Sequence, residues 1–381
     1  MKKKVLFCHD GPLTYDDITK KHYGIAHNDR IFNRYLDLGT DLSVLIRVYN
    51  VVDRDKLKQM SPIDIQNTNI IGMDNFFKKP FYFFKSSKKV EEIVKLSDII
   101  IIRLPSMIGL LVIKYCVKHK KNYLIEFVAD PWDSLWNHSL KGKVVAPVIT
   151  YLNKKAVKKA PNVVYVTNKF LQERYPSDGD VFACSDADFN EKNINSLNIV
   201  KVQKKKFGTL AAINVKFKGQ DCVIKALGYL KKNNFATFEY ELVGSGSDSY
   251  LKKVAEDNDV SELVTFKGPL KHEEVFDWLE TLDGYIQPSK QEGMPRSLLE
   301  AMSCGLFCLG AKTGGIPELL QEKYIFSNKK NNYIEIANII NSVTLEEINE
   351  QGQRNFIESQ KYNSSSLDEK RKKYYEKVFN I

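Results

Sequence analysis

The sequence predicts an α/β protein built from two doubly wound domains that face each other across a cleft. The chain has 381 residues, which suits two domains of about 150–200 residues better than one. Short apolar runs alternate with helical patterns in both halves, which is typical of parallel sheets. A polar stretch, 185–205, separates the two series of strands. We therefore predict a first domain at 1–190, a linker at 191–205 and a second domain at 206–361.

Each domain is predicted from its own series of strands and helices. In the first half, apolar runs predict strands at 4–9, 43–49, 98–104, 122–129 and 162–167, and amphipathic patterns predict helices near 25–38, 86–97 and 106–120. In the second half, strands are predicted at 207–213, 238–243, 263–267, 284–288 and 306–310, and helices at 219–232, 248–257, 272–282, 296–304 and 315–321. The final charged helix, 362–381, has no obvious sheet partner, and we expect it to pack back on the first domain.

The bulk composition is that of an ordinary globular protein. Apolar residues make up 43% of the chain and charged residues 27%, and no run of about 18 apolar residues predicts a transmembrane helix. The basic start, Met1–Lys4, precedes only a short apolar run, so we interpret it as the beginning of a strand and not as a signal peptide. The six cysteines lack the spacing of a metal site, and buried thiols in a reducing cytoplasm are the simpler interpretation.

The positive charge is concentrated in the first half. The net charge is +10, and residues 1–195 hold 31 basic and 22 acidic residues, which leaves the other half almost neutral. This asymmetry indicates that one face of the first domain meets an anionic partner, such as a phospholipid, a lipid diphosphate or a nucleic acid.

Two carboxylates flank the start of a predicted helix in the second half. Glu292 lies in the loop after strand 284–288, and Pro295 suits the first turn of the helix that follows. Glu300 lies eight residues further on, a rise of about 12 Å in a helix. This spacing fits the distance from the sugar to the ribose of a nucleotide-sugar, whose hydroxyls a carboxylate can bind in pairs, while the free N–H groups of the helix start suit the diphosphate. The residues of this segment predicted to bind the donor are Glu292, Gly293, Met294, Pro295, Arg296 and Glu300.

Glycine-bearing turns follow two other predicted strands. Strand 306–310 leads to Gly314 and Gly315, which let the backbone approach a ligand closely. Ordinary strand–turn–helix units with surface glutamates are the alternative interpretation of both loops. The turn at Gly244 and Gly246 nearly matches the dinucleotide fingerprint but lacks its third glycine. We therefore expect no nicotinamide cofactor, and we predict that this turn lies near the donor nucleotide.

Eight segments of the second half share the pattern of one family. They are Phe207-Gly-Thr-Leu, Lys218-Gly-Gln, Leu242-Val-Gly-Ser-Gly, Val264-Thr-Phe-Lys-Gly, Gln287-Pro-Ser, Glu292-Gly-Met-Pro, Glu300-Ala-Met and Gly314-Gly-Ile-Pro-Glu. Together they resemble the family-4 retaining glycosyltransferases, whose GT-B fold pairs two Rossmann-like domains. The resemblance covers about 207–321. It implies that Glu292 contacts the transferred sugar, Glu300 the ribose and Lys218 the diphosphate.

One position departs from the pattern of this family. An arginine usually follows the glycine of the first strand of this domain and grips the diphosphate, whereas this chain has Thr209. We expect Lys216 or Arg296 to replace that contact. The alternative interpretation of Lys218 is a solvated surface lysine.

Three polar turns are predicted to follow strands of the first half. They contain Asp10 and Gly11, Arg103 and Ser106, and Asp130 and Trp132. Polar groups at the carboxyl ends of parallel strands suit a substrate cleft, so we predict that these residues bind the acceptor. Turn chemistry alone is the alternative. With 165–176, the last two turns resemble a bacterial subgroup that builds capsular or O-antigen polysaccharides. Many members of the wider family have a histidine near Asp130, which makes Asp130 the candidate neighbour of the reacting hydroxyl.

Two basic stretches are candidates for membrane contact. Lys141 to Lys159 contains six lysines among apolar residues at helical spacing, and 76–85 interleaves aromatic residues with lysines. A core helix and a partly buried loop are the respective alternatives. We expect no nucleic-acid partner, because the sequence contains no recognised nucleic-acid module.

These observations predict a retaining transferase that moves a sugar from a nucleoside-diphosphate sugar, UDP in preference to GDP, to a hydroxyl of a glycan on a polyprenyl-diphosphate carrier. The predicted catalytic residues are Glu292, Lys218 and Asp130. We expect the protein at the cytoplasmic face of the plasma membrane, with no cofactor and, in the absence of a suitably placed Asp-x-Asp motif, no metal. The alternatives are a GT-B-like sugar-nucleotide epimerase and a non-catalytic glycan-binding subunit, although the latter would be expected to lose Glu292 or Glu300.

Overall fold

A computed structural model describes residues 3–25, 27–54, 57, 60–74, 80–137, 139–187, 189 and 205–381. Within these residues, the strands of the first half are β1 Lys4–Asp16, β2 Lys21–Gly24, β3 Asp41–Asn50, β4 Ser61–Ile63, β5 Thr68–Met73, β6 Ile99–Leu104, β7 Leu124–Phe127, β8 Asn162–Tyr165 and β9 Asp180–Ala183. Those of the second half are β10 Lys206–Leu210, β11 Glu239–Val243, β12 Val264–Gly268, β13 Gly284–Gln287, β14 Phe307–Ala311 and β15 Ile325–Phe326.

The α-helices connect these strands and cover the sheets. In the first half they are α1 Asp29–Leu36, α2 Pro80–Leu96, α3 Met107–Lys118, α4 Pro131–Trp136, α5 Leu140–Lys158 and α6 Phe170–Arg174. In the second half they are α7 Gln220–Lys232, α8 Ser249–Asp257, α9 His272–Leu279, α10 Arg296–Ser303, α11 Ile316–Leu319, α12 Asn332–Ser342, α13 Leu345–Ser359 and α14 Ser364–Phe379. None of the helices in the described ranges is both long and apolar enough to cross a bilayer.

The first sheet is mainly parallel. Its parallel strands lie in the order β5-β3-β1-β6-β7-β8-β9, and the antiparallel strands β2 and β4 extend it beside the end of β1. Strand β6 is buried along its whole length, as expected for an apolar strand whose sheet is covered on both faces.

The second sheet is parallel throughout. Its order is β12-β11-β10-β13-β14-β15, so the direction of winding reverses between β10 and β13. Doubly wound sheets bind ligands in the crevice outside the carboxyl ends of their strands at this switch point. The loops that carry the donor motifs follow β10, β13 and β14. The predicted doubly wound α/β architecture is therefore confirmed, and it brings these loops to one edge.

Strand β1 differs from its prediction. The sequence predicts a strand that ends at residue 9, but β1 continues to Asp16. His9 pairs with Ile46 and Leu13 pairs with Val48, so the residues between them form a bulge. Pairing with β2 and β3 resumes beyond the bulge, which is why its glycine and proline do not end the strand. The other nine predicted strands agree with the structure within three residues at each end, whereas β2, β4, β5, β9 and β15 were not predicted.

Helix α14 lies against elements of the first half of the chain. The Tyr375 hydroxyl donates to the Glu126 carboxylate on β7, and Lys377 pairs with Asp180 at 2.8 Å. The N–H of Ser364 donates to the Phe189 carbonyl at 3.0 Å. Residues 191–204 of the predicted linker lie outside the described residues, as do residues 76–79 of the aromatic basic stretch; α2 begins at the next residue.

Candidate functional site

The two predicted donor loops meet at the carboxyl edge of the second sheet. The loop after β13 carries Glu292 and Gly293, and the loop after β14 carries Gly314 and Gly315. The Gly315 N–H donates to the Gly293 carbonyl at 2.7 Å. A Cβ added to Gly314 would lie 2.3 Å from the Glu292 carbonyl oxygen. Glycine at 314, where φ is +55°, thus allows the two loops to pack together.

Helix α10 begins directly after the first of these loops. Buried Met294 ends the loop, Pro295 occupies the N-cap position and Arg296 is the first helical residue. Proline has no polar side chain that could cap the helix, and within the described ranges no side chain accepts a hydrogen bond from the first N–H groups. Such N–H groups, together with the helix dipole, favour an anion at this end.

Lys218 and Glu292 form an ion pair at the switch point. Lys218 lies in a short 3₁₀ turn, 216–218, and its Nζ is 2.7 Å from Glu292 Oε1. The neighbouring Gly219 has a φ of +76°, and a Cβ there would lie 2.1 Å from the Pro288 carbonyl oxygen. The loop after β10 is therefore held close to the loop after β13. The Lys218 side chain is only 24% exposed and its ammonium group is paired with Glu292, which favours a role in the candidate site over that of a solvated surface lysine.

Glu300 is buried in the second turn of α10. Burial raises the pKa of its carboxyl group, while the positive charge of Arg296 and His272 opposes the shift. None of the described residues donates a hydrogen bond to this carboxylate. Among the residues that the structure describes, this ionisable group at the position predicted for the ribose therefore has no hydrogen-bonding partner.

The Thr209 hydroxyl forms hydrogen bonds within the second sheet. It donates to the Ile286 carbonyl at 2.7 Å and accepts from the Tyr240 hydroxyl at 2.7 Å. The side chain is buried, so it cannot replace the family's arginine as a ligand for phosphate. Of the two predicted substitutes, Lys216 lies with its ammonium group 4.7 Å from the centre of the Tyr250 ring, and Arg296 begins α10.

The glycines after β11 make room for the loop after β10. Gly244 and Gly246 have φ values of +153° and +113°. A Cβ on Gly244 would lie 1.9 Å from the Ala211 carbonyl oxygen, and one on Gly246 would lie 2.4 Å from the Asn214 side-chain oxygen. These close approaches explain the two glycines by packing beside the switch point, and a contact with the donor remains a prediction.

Asp10 and Ser106 combine in one helix cap. Asp10 accepts hydrogen bonds from Ser106 Oγ at 2.9 Å, from the Met107 N–H at 2.7 Å and from the Ile108 N–H at 3.0 Å. Ser106 is the N-cap residue of α3. The predicted turn at Asp10 is a strand bulge, and the Asp10 carboxylate is occupied by α3, which favours a structural role over the predicted acceptor contact.

Gly11 lies beside two histidines, His9 and His27, that no sequence motif marks as functional. The Gly11 N–H donates to His9 Nδ1 at 3.0 Å, and the same nitrogen is 3.2 Å from His27 Nε2. Burial, together with the charge of Arg103, lowers the pKa of His27 to about 3, and burial also lowers the pKa of His9. Both rings are therefore neutral near pH 7, and a side chain at Gly11 would clash with them, since its Cβ would lie 2.4 Å from His27.

Arg103 belongs to a buried ion network. Its guanidinium contacts Asp186 and lies 3.6 Å from Glu126. Arg34 and Arg371 also pair with Asp186, at 3.3 and 3.5 Å. Since breaking a buried network of this kind leaves unpaired charges, the structure favours a structural role for Arg103 over the predicted acceptor contact.

Asp130 is the N-cap of α4. Its carboxylate accepts from the Trp132 N–H at 2.8 Å and from the Tyr175 hydroxyl, and it pairs with Arg174 at 2.7 Å. The Asp130 carboxylate is buried and joins the start of α4 to Arg174 and Tyr175 at the end of α6, which favours a structural role over the predicted place beside the reacting hydroxyl. The Trp132 ring stacks on the Trp136 ring, with their centres 5.0 Å apart.

The comparisons with known proteins identify the family. The model described as glycosyl transferases group 1 matches residues 190–362. Protein CapJ of Staphylococcus aureus is 30% identical over 391 residues, which cover 99% of this chain and 97% of CapJ. The chain belongs to the group 1 glycosyltransferases. The amylovoran biosynthesis glycosyltransferase AmsK of Erwinia amylovora is 33% identical over 111 residues, 27% of each chain.

The solved structure of HepE from Anabaena in complex with UDP-glucose is similar along the whole chain. It covers 97% of this glycosyltransferase and 98% of HepE with a TM-score of 0.65, at 16% identity. This similarity shows the fold, so the GT-B fold expected from the sequence is confirmed. The expected enzyme class, a glycosyltransferase, is confirmed by the family.

Two contacts join the donor loops of this glycosyltransferase to helices α4 and α6 of the first half of the chain. The Gln291 amide donates to Ser134 Oγ on α4 at 2.9 Å. The Glu318 carboxylate accepts from the N–H groups of Asn168, Lys169 and Phe170, at 2.6, 3.1 and 2.8 Å. The sequence carries no local signal for either contact, because each partner lies about 150 residues away.

Proposed function

We propose that this glycosyltransferase moves a sugar, with retention, from a nucleoside-diphosphate sugar to a hydroxyl of a lipid-linked glycan during synthesis of a bacterial surface polysaccharide. The observation that carries the proposal is the convergence of Lys218, Glu292 and the uncapped start of α10 at the switch point. UDP is the preferred nucleotide, which is in keeping with the UDP-glucose bound to HepE. The name of AmsK supports a polysaccharide product.

Each group of the donor site has a separate task in this proposal. Glu292 accepts hydrogen bonds from hydroxyls of the transferred sugar, and Glu300 accepts from the ribose diol. Lys218 and the N–H groups of α10 hold the diphosphate, with Arg296 or Lys216 in place of the missing arginine. The bond from the anomeric carbon to the diphosphate breaks through a transition state with oxocarbenium character. The acceptor oxygen then bonds to the same face, and its proton leaves with the diphosphate.

The donor assignment is tested by two substitutions at its centre. Glu292→Gln and Lys218→Ala are each expected to lower turnover by at least roughly 100-fold, because they remove groups that stabilise the transition state. Lys231→Ala is the matched control, since this lysine forms an exposed ion pair with Glu262 at 2.9 Å. Normal turnover by either site variant, with an unchanged Tm, would exclude the assignment.

The same assay separates the alternative functions. An epimerase would alter the sugar nucleotide in the absence of any acceptor, whereas a transferase forms a glycosidic product only with one. A non-catalytic subunit would yield no product when purified alone. The observation that favours the transferase over the subunit is the presence of Lys218, Glu292 and Glu300 in one site.

The acceptor is proposed to enter beside α4. Trp132 and Gly11 keep their predicted acceptor contacts in this proposal, while Asp10, Ser106, Arg103 and Asp130 shape the surrounding loops. Asp133 follows Trp132, and burial raises the pKa of its carboxyl group to about 6, with Asp130 adding to the shift. A carboxyl group perturbed in this way beside the Gln291–Ser134 contact is typical of a functional cleft.

Helix α5 is proposed to bind an anionic membrane surface. It contains a stripe of exposed apolar side chains, with Val144 78%, Val148 59% and Tyr151 64% exposed. Lysines at 141, 143, 154, 155 and 158 accompany this stripe, and no acidic residue occurs from 134 to 172. An amphipathic helix with this charge matches an anionic lipid surface, and it would bring the enzyme to a lipid-linked acceptor.

Vesicle binding tests the membrane proposal. The purified protein is expected to sediment with vesicles that contain phosphatidylglycerol and not with pure phosphatidylcholine vesicles. The double variant Val144→Ser/Val148→Ser should lose most of this binding, whereas Ile357→Ser, at a 60% exposed site on α13, should retain it. Equal binding by all three proteins would contradict a role for α5.

A further inference from the structure

A buried glutamine lies behind the donor loop. The side-chain oxygen of Gln287 accepts hydrogen bonds from the Tyr285 hydroxyl at 3.1 Å and from Ser297 Oγ at 3.0 Å. Its amide nitrogen donates to Ser289 Oγ at 2.8 Å and to Glu292 Oε1 at 3.2 Å. A primary amide has two N–H donors and two acceptor lone pairs, so the hydrogen-bonding capacity of Gln287 is filled.

The orientation of the amide group is set from both ends of this network. The Leu210 N–H donates to the Tyr285 hydroxyl oxygen at 3.1 Å. That hydroxyl directs its own proton to the Gln287 side-chain oxygen, its nearer acceptor at 3.1 Å, compared with 3.4 Å for the Leu210 carbonyl. At the other end, the ionised Glu292 carboxylate can only accept. The amide nitrogen therefore faces Glu292, and a flipped amide would oppose both contacts.

Glu292 has two partners on one oxygen, and they differ in their access to a ligand. Lys218 Nζ and the Gln287 amide nitrogen both approach Oε1. The Lys218 side chain is 24% exposed, and its charge attracts a diphosphate. Gln287 is buried and uncharged. Within the described part of the chain, nothing hydrogen-bonds to Oε2, which leaves that oxygen available to a sugar hydroxyl.

We infer that Gln287 is a positioning residue that keeps the Glu292 carboxylate aligned with the sugar once the donor diphosphate has drawn Lys218 away. The inference rests on the proposed role of Glu292 in binding the donor sugar. A carboxylate held by Lys218 alone would lose its alignment when the lysine turned to the diphosphate. The buried amide supplies a contact with Oε1 that the ligand does not compete for.

The test compares binding of the nucleotide with use of the sugar nucleotide. Gln287→Met has a similar volume and removes all four hydrogen bonds. We expect kcat/KM for UDP-glucose, or for the UDP-sugar that gives the largest thermal shift, to fall roughly 10–100-fold, as for loss of one hydrogen bond to a charged group. The Kd of UDP, which lacks the sugar, should change less than about twofold. Tyr240→Phe, which removes a buried hydrogen bond to Thr209 in the same sheet, should leave both values near those of the wild type.

A double-mutant cycle links the effect to Glu292. In the Glu292→Gln background, Gln287→Met should lower kcat/KM by less than about twofold, because the carboxylate that it positions is already gone. Additive losses, or a normal kcat/KM for Gln287→Met alone, would overturn the inference. If Glu292→Gln alone is fully active, the proposed donor role fails first and the inference fails with it. If Gln287→Met is unstable, Gln287→Glu replaces it in the test, because glutamate has the same shape as glutamine but its charge repels Glu292. Full activity of Gln287→Glu would also overturn the inference.

Discussion

The Glu318 contact gives the sharpest prediction about how the two halves of the enzyme are held together. Glu318→Ala removes a carboxylate on α11 that accepts three successive backbone N–H groups at the start of α6. Gly315, in the loop that leads into α11, lies three residues before Glu318, and its N–H donates to the Gly293 carbonyl of the other donor loop. The substitution therefore disconnects the donor loops from the first half of the chain at this point.

The expected size of the effect follows from the capping geometry. Loss of a helix-capping side chain costs about 0.5–2 kcal/mol. A charged acceptor with three donors belongs near the upper end of that range, and partial exposure of Glu318 lowers the value. We expect about 1–1.5 kcal/mol, which corresponds to roughly a 5- to 13-fold shift of the equilibrium from halves that are in contact at Glu318 towards halves that have separated there.

Small-angle X-ray scattering and steady-state kinetics measure this shift. With saturating UDP, Glu318→Ala should have a larger radius of gyration than the wild type, and its kcat should be lower while the Kd of UDP is unchanged. Glu318→Gln, which keeps one acceptor oxygen, should fall between the two. Glu322→Ala removes the same charge from an exposed position nearby and serves as the control. If the scattering curve and kcat of Glu318→Ala match those of Glu322→Ala, the capping contact does not hold the halves together.

Two further predictions concern stability. Burial raises the pKa of Asp133 to about 6, so the folded state binds its proton more tightly than the unfolded chain, and stability falls as the pH rises from about 4 to about 6. Asp133→Asn should therefore be about 1–2 kcal/mol more stable than the wild type at pH 8 and equally stable at pH 3.5, as measured by urea denaturation. The same difference in the free energy of unfolding at both pH values would contradict the raised pKa. Asp10→Ala should lower the free energy of unfolding by about 1–2 kcal/mol through loss of the α3 cap, and Asp37→Ala, at an exposed aspartate, should change it little.

The candidate donor site could be assigned from the sequence because most of its residues are close together along the chain. Glu292, Pro295 and Glu300 belong to one loop and helix, and their spacing fixes their relative positions. The two adjacent glycines in the loop after β14 themselves predict a close approach of the backbone to a neighbouring group. Because such patterns are short, their interpretation does not depend on contacts with distant parts of the chain.

The first half was harder to predict because its polar residues have distant partners. Asp10 caps a helix that begins 97 residues later, and Arg103 pairs with Asp186. The turn residues that suggested a cleft are the same residue types that cap helices, and the sequence does not show which use prevails. The continuation of β1 past its bulge similarly depends on pairing with β2 and β3.

The two halves also differ in how they use their buried charges. In the first half, Arg103 pairs with Glu126 and Asp186, and Arg371 and Tyr375 of α14 contact the same two carboxylates. In the second half, the Glu300 carboxylate is buried with a raised pKa and without a hydrogen-bond donor among the described residues. Burial of such a group destabilises the unliganded protein, and a ribose diol would supply the missing donors. A bound nucleotide should therefore lower the pKa of Glu300 towards its ordinary value, so nucleotide binding should release a proton near that pKa. Glu300→Gln should abolish this proton release, which calorimetry in buffers of different ionisation enthalpy can detect.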